Sequence, residues 1–203
     1  MPVPVPGGDP SAVPPLLAIA LLALGWVAGS FPSAVVVGRA VGVDPRVEGE
    51  RNPGSANVWR LAGPRAGLAV LALDVAKALL PAVIGWAVAG YWGAVTAGVG
   101  AVAGSIRPIV PGWRGGRGVG AAVGAAVAMN PAAAAVGIAA AGVGWALLRR
   151  AGRATAIGFI AYPVAWAALT VRDAETLLAF AGCGLLYLVT LAGWLATRHR
   201  GRG

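Results

Sequence analysis

Acidic side chains, histidine and cysteine are all scarce in this chain: its 203 residues hold 7 Asp+Glu, one His and one Cys. A single cysteine excludes an intrachain disulfide, and Cys183, inside an apolar run, reads as a free core thiol. One His and one Cys cannot build a His/Cys metal cluster, so no metal site is expected. A Ser-His-Asp triad would have to recruit the terminal His199, and no Gly-x-Ser-x-Gly nucleophile elbow is present. Charge of either sign is thin, at 11% of residues, against about 25% in an ordinary soluble domain. No long polar stretch exists that could fold as a second, soluble domain.

What the chain has in quantity is apolar and small. It is 58% hydrophobic with 32 glycines, and its mean hydropathy is +0.77. A soluble core could not hide that much apolar surface, whereas a bilayer can. Apolar runs fall at 16–41, 66–89, 91–104, 118–129, 132–148, 154–171 and 176–197. A full helical span needs about 20 residues, so the third and fourth runs are short. "MNP" at Met129–Pro131 separates the fourth run from the fifth, because proline cannot continue a helix without losing a hydrogen bond. Merging runs into 66–104 or 118–148 makes elements too long to cross once without severe tilt. The expected fold is an all-α integral membrane protein, a seven-helix transmembrane bundle whose two short helices flank a glycine/arginine loop. The opening "MPVPVPGGDPSAV" lacks the basic n-region of a signal peptide. Residues 1–13 therefore read as a disordered arm and 14–203 as a single polytopic membrane domain.

The distribution of basic residues supports this division. Lys+Arg number 16 against 7 acidic residues. With the N-terminus outside and all seven runs crossing, every Lys and Arg except Lys77 and Arg172 falls in a cytoplasmic segment, and the C-terminus is cytoplasmic too. That is the positive-inside pattern of a multi-pass cell-membrane protein. A basic excess in a soluble protein would suggest nucleic acid. Here it sets orientation and attracts anionic groups, and no nucleic-acid partner is expected. Small residues in the runs permit close helix contact, and Trp26, Trp86, Trp92, Trp113, Trp145 and Trp194 read as interfacial anchors. No internal repeat is visible.

Polar chemistry collects in three segments that this topology puts on one side: 38–67, 104–120 and the tail from Arg198. In the second, "GWRGGRGVG" (112–120) interleaves Arg114 and Arg117 with glycines and has no acidic neighbour. Gly115, Gly116 and Gly118 permit unusual backbone angles, so successive N–H groups can converge on an anion. A helix begins at the end of the loop and turns its positive end the same way. Forked arginine donors suit phosphate. The spacing is not that of a Walker loop. Two readings stand on the residues alone: a phosphate cradle, or a flexible basic turn obeying the orientation rule. In the first segment, Asn52, Gly54, Asn57 and Arg60 read equally as turn formers or as substrate contacts. Asp74 and Lys77, three residues apart inside a span, read as a structural pair.

The order and wording of "GSFPSAVVVGRAVGVDPR", "NPGSANVWRLAGPRAG", "LALDVAKA", "GWRGGRGVG" and "RHR" resemble the PlsY-type glycerol-3-phosphate acyltransferase family from about Gly29 to Arg200. The resemblance implies a membrane bundle with a cytoplasm-facing site. That site would move an acyl chain from acyl-phosphate to the 1-position of glycerol 3-phosphate, giving lysophosphatidate and phosphate without metal or organic cofactor. It also implies roles. Arg117, Arg60 and His199 would be catalytic. Gly115, Gly116, Gly118, Arg114, Asn52, Gly54, Asn57 and Arg39 would bind substrate or phosphate. Glu50, Arg51 and Ala56 stand where the family has serine, glycine and threonine. Ser105 stands for its histidine, and Ala121 and Ala156 for a threonine and a serine. Arginines 114 and 117 replace lysines. Glu50 would set a negative charge against incoming phosphate, on the order of 4 kcal/mol for one like-charge contact at ~4 Å and an effective dielectric near 20, unless Arg51 or Arg60 neutralises it. Two other functions stay open: a non-catalytic or diverged paralogue that binds phosphorylated lipid precursors, and an anion transporter built on the short helices as broken helices.

Overall fold

The computed structural model describes residues 13–171 and 174–198. The expected arm, apart from residue 13, lies outside the described residues, as do Arg172 and His199; the side chain of Cys183 also lies outside them. Among the described residues there are seven helical elements: α1 (Pro15–Gly29), α2 (Ser33–Ala40), α3 (Ser55–Ile106), α4 (Val119–Met129), α5 (Pro131–Leu148), α6 (Ala151–Thr170) and α7 (Ala174–Arg198). Among these same residues, three helical stretches are long and apolar enough to cross a membrane: Pro15–Ala40, Ser55–Ile106 and Pro131–Leu148.

The elements depart from the apolar runs at two places. The first run, expected as one helix, breaks between α1 and α2. The Ser30 hydroxyl bonds back to the Trp26 carbonyl at 2.7 Å, and Pro32 cannot extend the hydrogen-bond ladder. The second and third runs instead share one long element, α3, which turns back on itself. Gly63 (φ 86) and the pair Ala89 and Gly90 (φ 59 at Gly90) leave helical geometry. Across the first break a Cβ on Gly67 would strike Trp59, and across the second one on Gly85 would strike the Gly93 carbonyl. Residues eight apart sit about 12 Å apart along a straight helix, so each contact means a reversal. Element α3 is thus three helical segments, 55–62, 64–88 and 91–106. Glycine reaches these positive φ values without steric cost.

Proline and asparagine make the other boundaries. Asn130 ends α4 through its N–H to the Ala126 carbonyl at 2.9 Å. Its side chain then caps α5 by accepting the Ala133 N–H at 3.0 Å, with Pro131 at the first helical position.

Packing follows membrane rules. Helix α1 lies against residues 91–106 through reciprocal small-residue contacts: a Cβ on Gly25 or Gly29 would fall on the backbone of Ala97 or Ala101, and one on Gly100 or Gly104 on that of Leu22 or Trp26. The fully enclosed interior is built largely of alanine, whereas Leu16, Leu80, Leu147, Ile160 and Leu188 point outward. Large apolar side chains outside and small ones between helices suit lipid as the surrounding solvent. At one place the interior is aromatic. Tyr91, whose hydroxyl donates to the Ala179 carbonyl at 2.6 Å, stands edge-on to Trp86, Trp92 and the fully buried Trp166. Trp86 and Trp92 therefore pack against the core, where the sequence suggested interfacial anchors. Trp26, Trp113 and Trp145 remain exposed.

Candidate functional site

Three connections meet at one end of the bundle: residues 50–60, residues 105–121 and the α5–α6 link around Arg149. Between them lies a cavity of about 420 Å³, lined by Glu50, Asn52, Gly54, Arg60, Asp74, Lys77, Ser105, Gly116, Arg117, Gly118, the first turn of α4, and Arg149, Arg150 and Thr155. A second cavity, of about 180 Å³, lies on the other side of the glycine loop against the α1–α2 break and is lined by Arg39, Arg46, Arg114 and Gly115 among others. Asp74, Lys77, Ser105 and Gly116 line both.

The glycine loop is held by the end of α3. The Gly116 N–H donates to the Ser105 carbonyl at 3.0 Å, and a Cβ on Gly115 would overlap the Ser105 and Ile106 carbonyls. Around it, the Ser105 hydroxyl donates to the Gly29 carbonyl at 3.2 Å, the Ile109 N–H to the Ser30 hydroxyl at 3.0 Å and the Trp26 indole to the Arg107 carbonyl at 2.8 Å. Glycine is needed at 115 for this close approach. Within 115–118, only Gly118 has a positive φ, of 73°. The sequence reading had several loop N–H groups converging on an anion. The structure commits that of Gly116 to Ser105.

The free donors lie one step further on. The left-handed Gly118 caps α4 and offers no side-chain cap. The first intrahelical bond runs from the Ala122 N–H to the Gly118 carbonyl. The N–H groups of residues 119–121, which line the cavity, thus precede the helix's own ladder and carry its partial positive charge. Beside them, the Arg117 Nε is buried without a hydrogen-bond partner.

Charges in the cavity are partly matched. Arg60 pairs with Glu50 at 2.6 Å, and Arg117 reaches the other oxygen of the same carboxylate at 3.9 Å. The neutralisation of Glu50 by Arg60, set out above as a condition, is present. Lys77 and Asp74 pair at 2.7 Å. The Asp74 carboxylate also accepts the Ser33 hydroxyl at 2.8 Å, and the Lys77 ammonium donates to the Phe31 carbonyl at 3.1 Å. The expected pairing is present, and it ties α3 to the α1–α2 break. It also forms a wall of both cavities, a position its spacing could not reveal. Arg149 and Arg150 have no carboxylate partner among the described residues; Arg149 lies over the Trp145 ring, 5.4 Å from its centroid.

The predicted site residues thus separate into groups. Asn52, Gly54, Arg60, Gly116, Arg117 and Gly118 share the larger cavity, while Arg39, Arg114 and Gly115 line the smaller. Asn57 lines neither. It is 1% exposed, accepts the Glu50 N–H at 3.0 Å and donates to the Pro45 and Glu48 carbonyls at 3.1 and 3.0 Å. Its amide is spent on the 45–50 turn, so it positions Glu50 and has no donor left for a ligand. Sequence reasoning passed over Arg149, Arg150 and Thr155, although their place in a basic link between two apolar runs was a usable signal. At the smaller cavity, the Arg46 side chain beside Asp44 holds that carboxyl down to about 2. A depressed carboxylate stabilises above its ordinary value, near 4, and loses the contribution as pH falls through 2. The Asp44–Arg46 pair is therefore intact throughout the neutral range.

Fold and site together define an all-helical membrane protein with a basic cavity, headed by a helix N-terminus, at one end of its bundle. A family model described as glycerol-3-phosphate acyltransferase matches residues 19–202, and the chain belongs to that family. A relative of that name from Anaeromyxobacter sp. (strain Fw109-5) is 40% identical over 140 residues, covering 66% of this chain and 69% of the relative. Another, from Rubrobacter xylanophilus, is 38% identical over 117 residues, covering 57% and 59%. The crystal structure of PlsY, an integral membrane glycerol 3-phosphate acyltransferase, in its glycerol 3-phosphate form superposes with a TM-score of 0.75 at 26% identity, covering 91% of this chain and 93% of that one. Its lysophosphatidic acid form gives 0.74 at 25% identity, covering 90% of each.

Proposed function

We propose that this chain is a membrane acyltransferase of phospholipid synthesis that moves an acyl chain from acyl-phosphate to the 1-hydroxyl of glycerol 3-phosphate. The observation that carries the reading is the junction of Arg60, Arg117 and the uncapped α4 N-terminus in one cavity at the end of an apolar bundle. Both substrates bring phosphate, and the donor also brings a tail that needs lipid. A cavity of about 420 Å³ suits the polar heads, while the tail stays in the bilayer.

In the reaction the 1-oxygen attacks the acyl carbonyl carbon, a C–O bond forms, and the C–O bond to phosphate breaks. Inorganic phosphate leaves with the bonding electrons. Arg117 and the N–H groups of residues 119–121 meet the charge that grows on the leaving phosphate. Arg60 and Asn52 hold glycerol 3-phosphate from the opposite wall. The hydroxyl proton passes to a substrate phosphate oxygen. Orientation follows the charge pattern: N-terminus outside, cavity and C-terminus in the cytoplasm, in the cell membrane.

Purified protein given palmitoyl-phosphate and glycerol 3-phosphate is expected to release inorganic phosphate and form lysophosphatidate. A folded preparation that is stabilised by glycerol 3-phosphate yet forms no product would identify the chain as a binding paralogue.

A further inference from the structure

Glu50 stands between two arginines that a phosphate needs. One oxygen lies 2.6 Å from the Arg60 guanidinium and the other 3.9 Å from that of Arg117. One carboxylate facing two guanidinia is a two-oxygen version of the arrangement a phosphate makes with three. The carboxylate is presented by a fixed turn: the Glu50 N–H is held by the buried Asn57 amide at 3.0 Å, and Arg51 follows in the left-handed region with φ 51. The pairing contributes little to stability, because the Arg60 and Glu50 side chains are 49% and 44% exposed and such pairs are weak in water. It also serves Arg117 poorly, leaving its Nε buried and unpartnered. The cavity's other carboxylate, Asp74, takes Lys77 and Ser33 on its Oδ1 and pairs with no arginine among the described residues, so Glu50 is the acidic group held by the cavity's arginines.

We propose that Glu50 is a built-in stand-in for phosphate, which holds Arg60 and Arg117 together in the empty site and is displaced by the incoming substrate anion. The proposal rests on the functional reading above and adds a specificity-setting residue to it. Binding is then an exchange. The two arginines swap one carboxylate for a phosphate, so Glu50 weakens the capture of phosphate-bearing ligands without touching the step in which the acyl group moves.

The test compares wild type with Glu50→Gln, which keeps shape and removes charge, and Glu50→Ser, which removes both. Inorganic phosphate and glycerol 3-phosphate are titrated calorimetrically, and steady-state turnover is measured with palmitoyl-phosphate. In both variants, Kd for phosphate and KM for glycerol 3-phosphate are expected to fall about two- to fivefold, the scale of a half-exposed charge contact, with kcat within about twofold. In an Arg60→Ala background the effect of Glu50→Gln is expected to shrink, because the two residues act through one contact. Active wild type with unchanged or weaker phosphate binding in Glu50→Gln overturns the inference and leaves the proposed function standing. Folded wild type and variants all silent toward both ligands overturn both. Binding that appears only once Glu50 is replaced supports the exchange.

Discussion

At the residue scale, the sequence turned both Asn57 and Arg60 toward substrate, as a binding and a catalytic residue, and the structure separates them. Asn57 satisfies three backbone groups of the turn that carries Glu50, and Arg60 faces the cavity as half of an exposed ion pair. Their replacements should therefore differ in kind. Asn57→Ala takes the amide partner from the Glu50 N–H and from the Pro45 and Glu48 carbonyls, a cost of about 1–3 kcal/mol, and thermal unfolding in detergent should register it as a clear drop. Arg60→Ala should change unfolding by only about 0–1 kcal/mol while raising KM for glycerol 3-phosphate. Equal destabilisation by both would contradict this division. The amide's partners at Pro45 and Glu48 lie twelve and nine residues back, in a turn with no periodic pattern, so the sequence could show the asparagine but not its use. The same limit hid the Glu50–Arg117 contact, which spans residues far apart in the chain. The neighbouring Arg60 partner was legible because Glu50 and Arg60 share one polar segment.

At the scale of elements, glycine spacing carries the architecture. Gly25 and Gly29 on α1 and Gly100 and Gly104 on α3 remove the side chains that would separate the two backbones. A methyl group at Gly104 would meet the Trp26 carbonyl, so Gly104→Ala should destabilise by about 1–3 kcal/mol. Gly142, on α5 with open space around its Cβ position, should instead gain about 0.5–1 kcal/mol from the better helix propensity of alanine. Opposite signs in paired melting curves would confirm the packing, and equal shifts would refute it. Helix ends at Pro131 and Gly118 were legible because each residue has one backbone use there. The reversal at Gly63 was not, since Gly63 falls in the polar segment 38–67, and only its φ of 86 and the Trp59–Gly67 contact show a turn between two helical segments. The glycines of "GWRGGRGVG" stand out in the sequence. Their task proved to be letting the loop rest on α3, with the ligand-ready donors displaced into the first turn of α4.

At the scale of the whole molecule, the uneven placement of arginine is an orientation signal and an electrostatic one. On the proposed topology it puts residues 50–60, 105–121 and 149–155 on one side of the bilayer, and the fold brings these same segments around one cavity. Orientation can be read in intact cells on a Cys183→Ala background with single cysteines at Val88, beside the Gly90 reversal, and at Ile109, beside the glycine loop; both positions are exposed. An impermeant maleimide should label the first at once and the second only after lysis, and the reverse pattern would invert the proposed topology. Family, helical class and the polar end of the bundle were all legible from the chain, because charge and hydropathy act along the sequence. The pairing of charges within the cavity was not, because it depends on the fold.

The central claim is that Arg117 and the α4 N-terminus receive the phosphate that leaves as the acyl group moves. Phosphate release from palmitoyl-phosphate in the presence of glycerol 3-phosphate, measured side by side for wild type and Arg117→Ala, tests it most directly. Loss of one charged donor to a developing anion typically lowers kcat by about 10²–10³. The account predicts a wild type that turns over and an Arg117→Ala protein slower by that factor with its fold intact. An Arg117→Ala protein with wild-type kcat, or a folded wild type that releases no phosphate, would contradict it.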